Sequence, residues 1–239
     1  MTAIIQDGRI WRCFAEPVEA VTAVTPAEVW PALLAVETAV SRQRLYAAGF
    51  LAYEAAAAFG LAAHPPGDLP LLWFGLYEKE TRHSSNYPIT PLPHYPISNW
   101  QPAVNQSAYH AAIRQIKAAI ARGDAYQVNY TFPLQAEFTG DPLALFADLA
   151  QAQQGSYAAY VDTGRFAVCS ASPELFFRLD GEVLTSKPMK GTAARGMTLA
   201  EDEASIAWLA QSEKNRAENV MIVDMIRNDM GRVAEIGSV

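Results

Sequence analysis

Short runs of apolar residues, interrupted by single amphipathic stretches, predict antiparallel strands joined by hairpins and separated by solitary helices. Three hairpin turns are predicted, at Asp7-Gly8, at Asp162–Gly164 and at Asp180-Gly181. Strands are predicted at 4–14 (a hairpin turning at Asp7-Gly8), 45–53, 71–77, 126–138, 157–161, 166–170, 175–179 and 183–185. Strands and helices alternate irregularly, and no Gly-x-Gly-x-x-Gly occurs, so the pattern favours an α+β fold with large antiparallel sheets over a Rossmann fold.

Capping residues mark where the predicted helices begin and end. The segments 25–28 and 198–201 are capping boxes, with Thr as the N-cap and Glu three residues later. Ser107 is the predicted N-cap of a helix that Gly123 ends. The predicted helices cover about 25–42, 55–63, 107–123, 141–153, 198–210 and 212–230.

Regular periodicity disappears between Glu80 and Asn105, where prolines 88, 91, 93, 96 and 102 oppose helix and strand. At most a strand fragment is expected in this segment. We place the domain boundary at its end. The prediction is an N-terminal scaffold subdomain at 1–104, followed by the first part of a catalytic domain at 105–239.

Composition excludes several classes of protein. Of the 239 residues 51% are apolar, which is ample for a packed core, and the net charge of −7 argues against a nucleic-acid partner. We expect no signal peptide and no membrane span, because the longest apolar stretch is interrupted by Glu54 and two glycines. Cys13 and Cys169 have neither metal-ligand spacing nor the density of a disulfide scaffold, which favours a cytoplasmic location.

The last predicted helix carries a stripe of polar residues. Glu218 and Asp229 are eleven residues apart, which leaves them about 20° out of register, and Asn215 lies one turn before Glu218. Such carboxylates are either solvated surface charges or members of a site, and flanking methionines and isoleucine favour a stripe that faces protein or a cavity. Mg²⁺ would suit it. The face predicted to enter the core consists of Ala217, Val220, Val223 and Ile226.

Two more groups are candidates for chemistry. Lys190 follows a strand in a Pro-Met-Lys-Gly-Thr turn and is either an exposed loop lysine or a nucleophile, since the nearby cations Lys187 and Arg195 would favour its neutral amine. Glu174, at the start of a strand, is either an edge-strand charge or a general acid that points into the same cavity. The residues alone indicate an α+β enzyme with a loop lysine and an acidic face that suits Mg²⁺.

Four segments resemble motifs of the chorismate-utilising enzymes, in that family's order. They are Gly123–Asn129, Ser172–Glu174, Lys187–Gly196 and Ser212–Val233. The sequence is most similar to the branch that replaces the 4-hydroxyl of chorismate with an amino group, a step toward para-aminobenzoate and folate. The resemblance implies a sandwich of large antiparallel sheets with flanking helices.

The resemblance also implies a mechanism. Lys190 matches a lysine that adds at C2 of chorismate while the 4-hydroxyl departs, after which ammonia adds at C4 and expels the lysine. Glu174 matches the general acid that protonates the departing hydroxyl. The similar anthranilate synthases have alanine in place of Lys190, so the lysine favours amination at C4 over their reaction.

Further residues are assigned through the same resemblance. Glu218 matches a ligand of Mg²⁺, which would bind a substrate carboxylate, and Gly191 and Thr192 match substrate-binding positions. Gln127 stands where isochorismate and salicylate synthases have a lysine that activates water. A glutamine cannot act as a base at neutral pH, so attack by water is disfavoured.

The resemblance implies a partner and an incomplete fold. In this family a glutamine amidotransferase supplies ammonia, and the fold continues past the position of Val239 with a histidine, a second Mg²⁺ glutamate and a carboxylate-binding segment. We therefore expect an N-terminal fragment, incomplete at the C-terminus, that exposes an apolar edge or face. The alternatives are an anthranilate synthase component and a non-catalytic binding or regulatory module on the same fold.

Overall fold

The computed structural model describes residues 1–84 and 97–239. The strands are β1 Thr2–Asp7, β2 Ile10–Ala15, β3 Glu19–Ala23, β4 Tyr46–Leu51, β5 Leu72–Tyr77, β6 Thr81–Ser84, β7 Ile97–Pro102, β8 Leu134–Phe138, β9 Tyr157–Asp162, β10 Ala167–Ser172, β11 Leu175–Asp180 and β12 Val183–Lys187. The helices are α1 Pro26–Gln43, α2 Gln106–Arg122, α3 Pro142–Gln153, α4 Leu199–Gln211 and α5 Glu213–Gly231, with a 3-10 helix at Tyr53–Phe59.

The chain divides into two compact units. The larger comprises residues 1–88 and 148–239, and the smaller comprises 89–147. These units follow the packing of the backbone. The functional division proposed at residue 104 stays a prediction.

Two antiparallel sheets form the centre of the larger unit. The first has the strand order β10-β9-β1-β2-β6, and the second has the order β3-β5-β4. The β1–β2 hairpin pairs Asp7 with Ile10, and Gly8 adopts a φ of +64° in the turn, which confirms the hairpin predicted for 4–14. The other strands predicted for this unit are confirmed within two residues at each end.

The two sheets pack face to face over a shared core. Phe14 and Val161 from the five-stranded sheet contact Trp73 and Tyr77 from the three-stranded sheet. Because side chains alternate along a strand, Leu72 and Phe74 point to the opposite face of β5, where α1 and the 3-10 helix cover them. This is the predicted sandwich with flanking helices.

Beyond the sandwich lie the β11–β12 hairpin and the helix pair α4 and α5. Arg178 of β11 forms an ion pair with Asp7, which joins the hairpin to the β1–β2 turn. Thr198 Oγ1 accepts a hydrogen bond from the Glu201 amide at 3.3 Å, and the Glu201 carboxylate accepts one from the Thr198 amide at 3.0 Å. The predicted capping box of α4 is confirmed.

The smaller unit corrects two predictions. The N-cap of α2 is Asn105, whose Oδ1 accepts a hydrogen bond from the Ala108 amide at 2.9 Å, and not Ser107. The strand predicted over 126–138 is wrong in its first part, since only β8 is a strand. Pro133 has no amide hydrogen that could bond to a neighbouring strand. The alternating segment 126–132 pairs with no strand among the described residues.

The segment 80–105 is more regular than predicted. Strand β6 joins the five-stranded sheet, and β7 pairs with β8, where the sequence indicated a fragment at best. Strand β6 precedes the proline-dense stretch, whereas β7 begins directly after Pro96 and ends at Pro102; prolines 88, 91, 93 and 96 fall outside the described residues. No described helix is long and apolar enough to cross a membrane.

Candidate active site

An open groove of about 660 Å³ lies between the β11–β12 hairpin and α5. Its walls are mainly apolar, with Phe176 and Leu184 on the hairpin side and Ile222 and Met225 on the helix side. Ionisable side chains reach it from three places in the chain. They are Glu174 before β11, Lys190 after β12 and Asp229 on α5.

Glu174 is held at both its backbone and its side chain. Ser172 Oγ donates a hydrogen bond to the Glu174 carbonyl at 3.0 Å and accepts one from the Glu174 amide at 3.3 Å. The carboxylate oxygen Oε1 accepts a hydrogen bond from the Met189 amide at 2.9 Å. This bond places the carboxylate beside the turn that carries Lys190.

Lys190 is half-buried and lines the groove. In the part of the chain that the structure describes, its ammonium group has no hydrogen-bond or ion-pair partner. The next residue fixes the turn, since Gly191 has a φ of +81° and a Cβ there would lie 3.1 Å from Leu209 Cδ1 and 3.2 Å from Asn215 Cγ. The turn therefore packs directly against α4 and α5.

The structure does not support Arg195 as a cation that activates Lys190. The Arg195 Nε donates hydrogen bonds to both Asp202 carboxylate oxygens, at 3.0 and 2.8 Å. Hydrogen bonds from Arg195 and from the Gly196 amide lower the pKa of Asp202. The charge of Arg195 is thus offset within its own ion pair.

Glu218 lies on α5 one turn before the groove residue Ile222 and is not itself among the residues that line the groove. Its carboxylate is 33% exposed and lies 3.9 Å from the Lys214 ammonium. No three His, Cys, Asp or Glu residues gather as a metal site among residues 1–84 and 97–239. Mg²⁺ is commonly held by one or two carboxylates together with water and substrate, and the assignment of Glu218 to this ion stays a prediction.

The predicted core face of α5 is wrong for three of its four residues. Ala217, Val220 and Val223 are exposed, Val220 to 69%, whereas Ile226 is half-buried and lines the groove. In the polar stripe Asn215 and Glu218 are half-buried, as the sequence suggested, and Asp229 is exposed. Apolar side chains are also exposed on the hairpin, where Phe176 is 85% exposed.

The remaining candidates are not among the residues that line this groove. Gly191 and Thr192 line a neighbouring cavity of about 480 Å³ between their own turn and α4. Gln127 is exposed in the smaller unit, after the end of α2. Asp229 lines the groove, whereas the sequence indicates it only as a member of the polar stripe. Its eleven-residue spacing from Glu218 is the feature of the sequence that points to it.

The chain belongs to the class of chorismate binding enzymes. The pattern of that family matches residues 5–239, and the chain is a member of it. The chain is 39% identical to aminodeoxychorismate synthase component 1 of Escherichia coli (strain K12) over 142 residues, which are 59% of this chain and 31% of that protein. It is 36% identical over 155 residues to anthranilate synthase component 1 of Thermus thermophilus, covering 62% of this chain and 34% of that protein.

Solved structures confirm the α+β fold. Anthranilate synthase component I from Streptococcus pneumoniae TIGR4 superposes with a TM-score of 0.77 at 18% identity, over 94% of this chain and 62% of that one. A putative 2,3-dihydroxybenzoate-specific isochorismate synthase from Bacillus anthracis gives a TM-score of 0.67 at 17% identity, over 93% of this chain and 57% of that one. The chain matches about a third of the length of the relatives compared by sequence.

Proposed function

We propose that the chain takes part in the amination of chorismate at C4, which yields 4-amino-4-deoxychorismate. One observation carries the proposal. The Lys190 amine shares a groove with the Glu174 carboxyl group and has no protein partner among the described residues. The Glu174 carboxyl group accepts a hydrogen bond from the adjacent Met189 amide at 2.9 Å. The similarity to aminodeoxychorismate synthases supports the same reaction.

The first step uses both groups. The neutral amine of Lys190 adds at C2 of the ring, the two ring double bonds each move by one position, and the C4–oxygen bond breaks. Glu174 donates its proton to the departing oxygen, which leaves as water. Covalent catalysis divides one difficult displacement into two easier ones, and positioned proton transfer contributes about 10²- to 10⁴-fold.

The second step reverses the shift of the double bonds. Ammonia adds at C4, and the C2–nitrogen bond to Lys190 breaks, which restores the free amine. When bound by Glu218, Mg²⁺ would offset the charge of a substrate carboxylate.

Ammonia has to come from outside this chain. Relatives carry the name component 1, which implies a further component in those proteins. For this chain we propose a glutamine amidotransferase as the partner. The product would lead to para-aminobenzoate and folate in the cytoplasm.

Anthranilate synthesis is the second candidate, because one relative at 36% identity bears that name. It places nitrogen at C2 of the ring. A lysine at position 190 disfavours it, since the enzyme amine would occupy C2 itself. A binding module without turnover is the remaining alternative.

The test is a product assay on this chain with chorismate, Mg²⁺ and excess ammonium, read by chromatography and mass spectrometry. Formation of 4-amino-4-deoxychorismate that is lost in Lys190→Ala supports the proposal. Lys79→Ala is the matched control, since that lysine is exposed, belongs to the same unit and does not line the groove. Anthranilate as the product, or full activity of Lys190→Ala, would contradict it.

A further inference from the structure

Two carboxylates of different surroundings line the groove. Glu174 comes from the start of β11 and is bound by the Met189 amide, whereas Asp229 comes from the last turn of α5 on the helix wall. In the described part of the chain, no side chain or amide donates a hydrogen bond to the Asp229 carboxylate or pairs with it. Lys190 is the third ionisable group that lines the groove.

The Asp229 side chain is exposed, and neither helix stability nor substrate binding favours a carboxylate at this position. The C-terminal end of a helix carries a partial negative charge, so an acidic side chain in the last turn is unfavourable there. Chorismate is a dicarboxylate, and a further negative charge in its groove opposes its binding. A carboxylate in this place is expected to act on something other than the substrate's own charge.

The chemistry of amination develops positive charge on the attacking nitrogen. When ammonia forms the C4–nitrogen bond it becomes a positively charged substituent, and a carboxylate that accepts one of its protons as the bond forms stabilises that step. Glu174 has already lost its proton to the departing hydroxyl, but it is held at the turn that carries Lys190. Asp229 approaches from the opposite wall, as a free carboxylate.

We propose that Asp229 is the proton acceptor for ammonia in the second step of the reaction. This inference rests on the proposed function. Ammonia donates its lone pair to C4, the double bonds shift back, and the Lys190 nitrogen, protonated in the adduct, leaves as the neutral amine. The new C4 ammonium group gives one proton to Asp229, and exchange with water returns the proton to Glu174. Over the two steps chorismate and ammonia become the 4-amino product and water, and the side chains return to their starting protonation states.

A pair of isosteric variants on one helix tests the proposal. Asp229→Asn removes the acceptor. Asp224→Asn changes an exposed carboxylate five residues earlier, about 140° around α5 and outside the groove. Each protein is mixed with chorismate, Mg²⁺ and ammonium, quenched, and examined by intact mass and by product analysis, with chorismate affinity measured by calorimetry.

The expected result separates the two steps. Asp229→Asn should lose about 10²- to 10⁴-fold in the rate of amination, the range for a lost proton transfer, while binding chorismate at least as tightly as the unchanged chain. It should also accumulate a species heavier by chorismate less one water, because Lys190 still adds but ammonia does not. Asp224→Asn should behave as the unchanged chain.

Other outcomes overturn the proposal in distinguishable ways. Loss of amination in Asp229→Asn without an adduct, or with weakened chorismate binding, would assign Asp229 to the first step or to the structure. Undiminished amination would remove it from the reaction. If the unchanged chain forms neither adduct nor product, the proposed function itself fails, and this inference fails with it.

Discussion

Replacing Gly191 by alanine tests whether the turn that carries Lys190 packs as described. Gly191 has a φ of +81°, and the left-handed conformation costs an L-residue about 1–2 kcal/mol. The new Cβ would also lie 3.1 Å from Leu209 Cδ1 and 3.2 and 3.3 Å from Asn215 Cγ and Cβ, closer than ordinary contact. Such overpacking adds about 1–3 kcal/mol.

Gly60→Ala is the matched control. Gly60 lies in the same unit and has a φ of +76°, but a Cβ there would meet no heavy atom within 4 Å. Both substitutions carry the same strain and the same gain from a stiffer unfolded chain, so these terms cancel in the difference. The difference in the free energy of unfolding, measured by urea titration, should be about 1–3 kcal/mol.

Equal costs for the two variants would refute the reasoning. They would mean that the turn does not rest against Leu209 and Asn215, and the placement of Lys190 in the groove would lose its basis. A larger cost for Gly191→Ala, with unchanged cooperativity of unfolding, would support the packing. The cooperativity matters because two-state analysis is required for the comparison.

Three further predictions concern the rest of the larger unit. Glu80→Ala should cost about 1.5–3 kcal/mol at pH 7, because the buried carboxylate accepts a hydrogen bond from Arg12 at 2.7 Å. That bond lowers the pKa of Glu80, so its contribution should be present above the ordinary carboxyl value of 4.5 and be lost as the pH falls through the lowered pKa. Urea titrations at decreasing pH should show the difference between the variant and the unchanged chain becoming smaller. Burial raises the pKa of Cys169 to about 11, so its alkylation by iodoacetamide at pH 8 should be roughly a hundredfold slower than in urea, and equal rates would exclude the burial. Gly49→Ala should cost more than about 3 kcal/mol, since its Cβ would lie 1.9 Å from the Trp73 carbonyl oxygen; a thermal unfolding curve like that of the unchanged chain would contradict this.

Features with a local cause were predicted correctly from the sequence. The capping boxes at 25–28 and 198–201 begin helices because their bonds lie within a few residues, and the hairpin turns at 7–8 and 180–181 join neighbouring strands. The sandwich was also expected, but only through the family resemblance. Structure that depends on contacts between residues close in sequence can therefore be predicted from the local pattern of residues.

Features that depend on distant partners were not predicted. The alternation over 126–133 is genuine, but a strand needs a neighbour, and periodicity cannot supply one. Val220 was predicted to enter the core because it is hydrophobic, but it is exposed, and Glu218 lies on the half-buried face of α5 instead. The groove role of Asp229 follows from the position of the β11–β12 hairpin, which the sequence of the helix does not contain.

The central claim is that Lys190 attacks the ring, and the most direct measurement is peptide mapping after a rapid quench. The chain is mixed with chorismate and Mg²⁺ without ammonium, digested, and analysed by tandem mass spectrometry. We predict a modified peptide that carries chorismate less one water on Lys190, and its disappearance when ammonium is added before the quench. A modification on another lysine, or an unmodified Lys190 in a chain that still forms the aminated product, would contradict the mechanism.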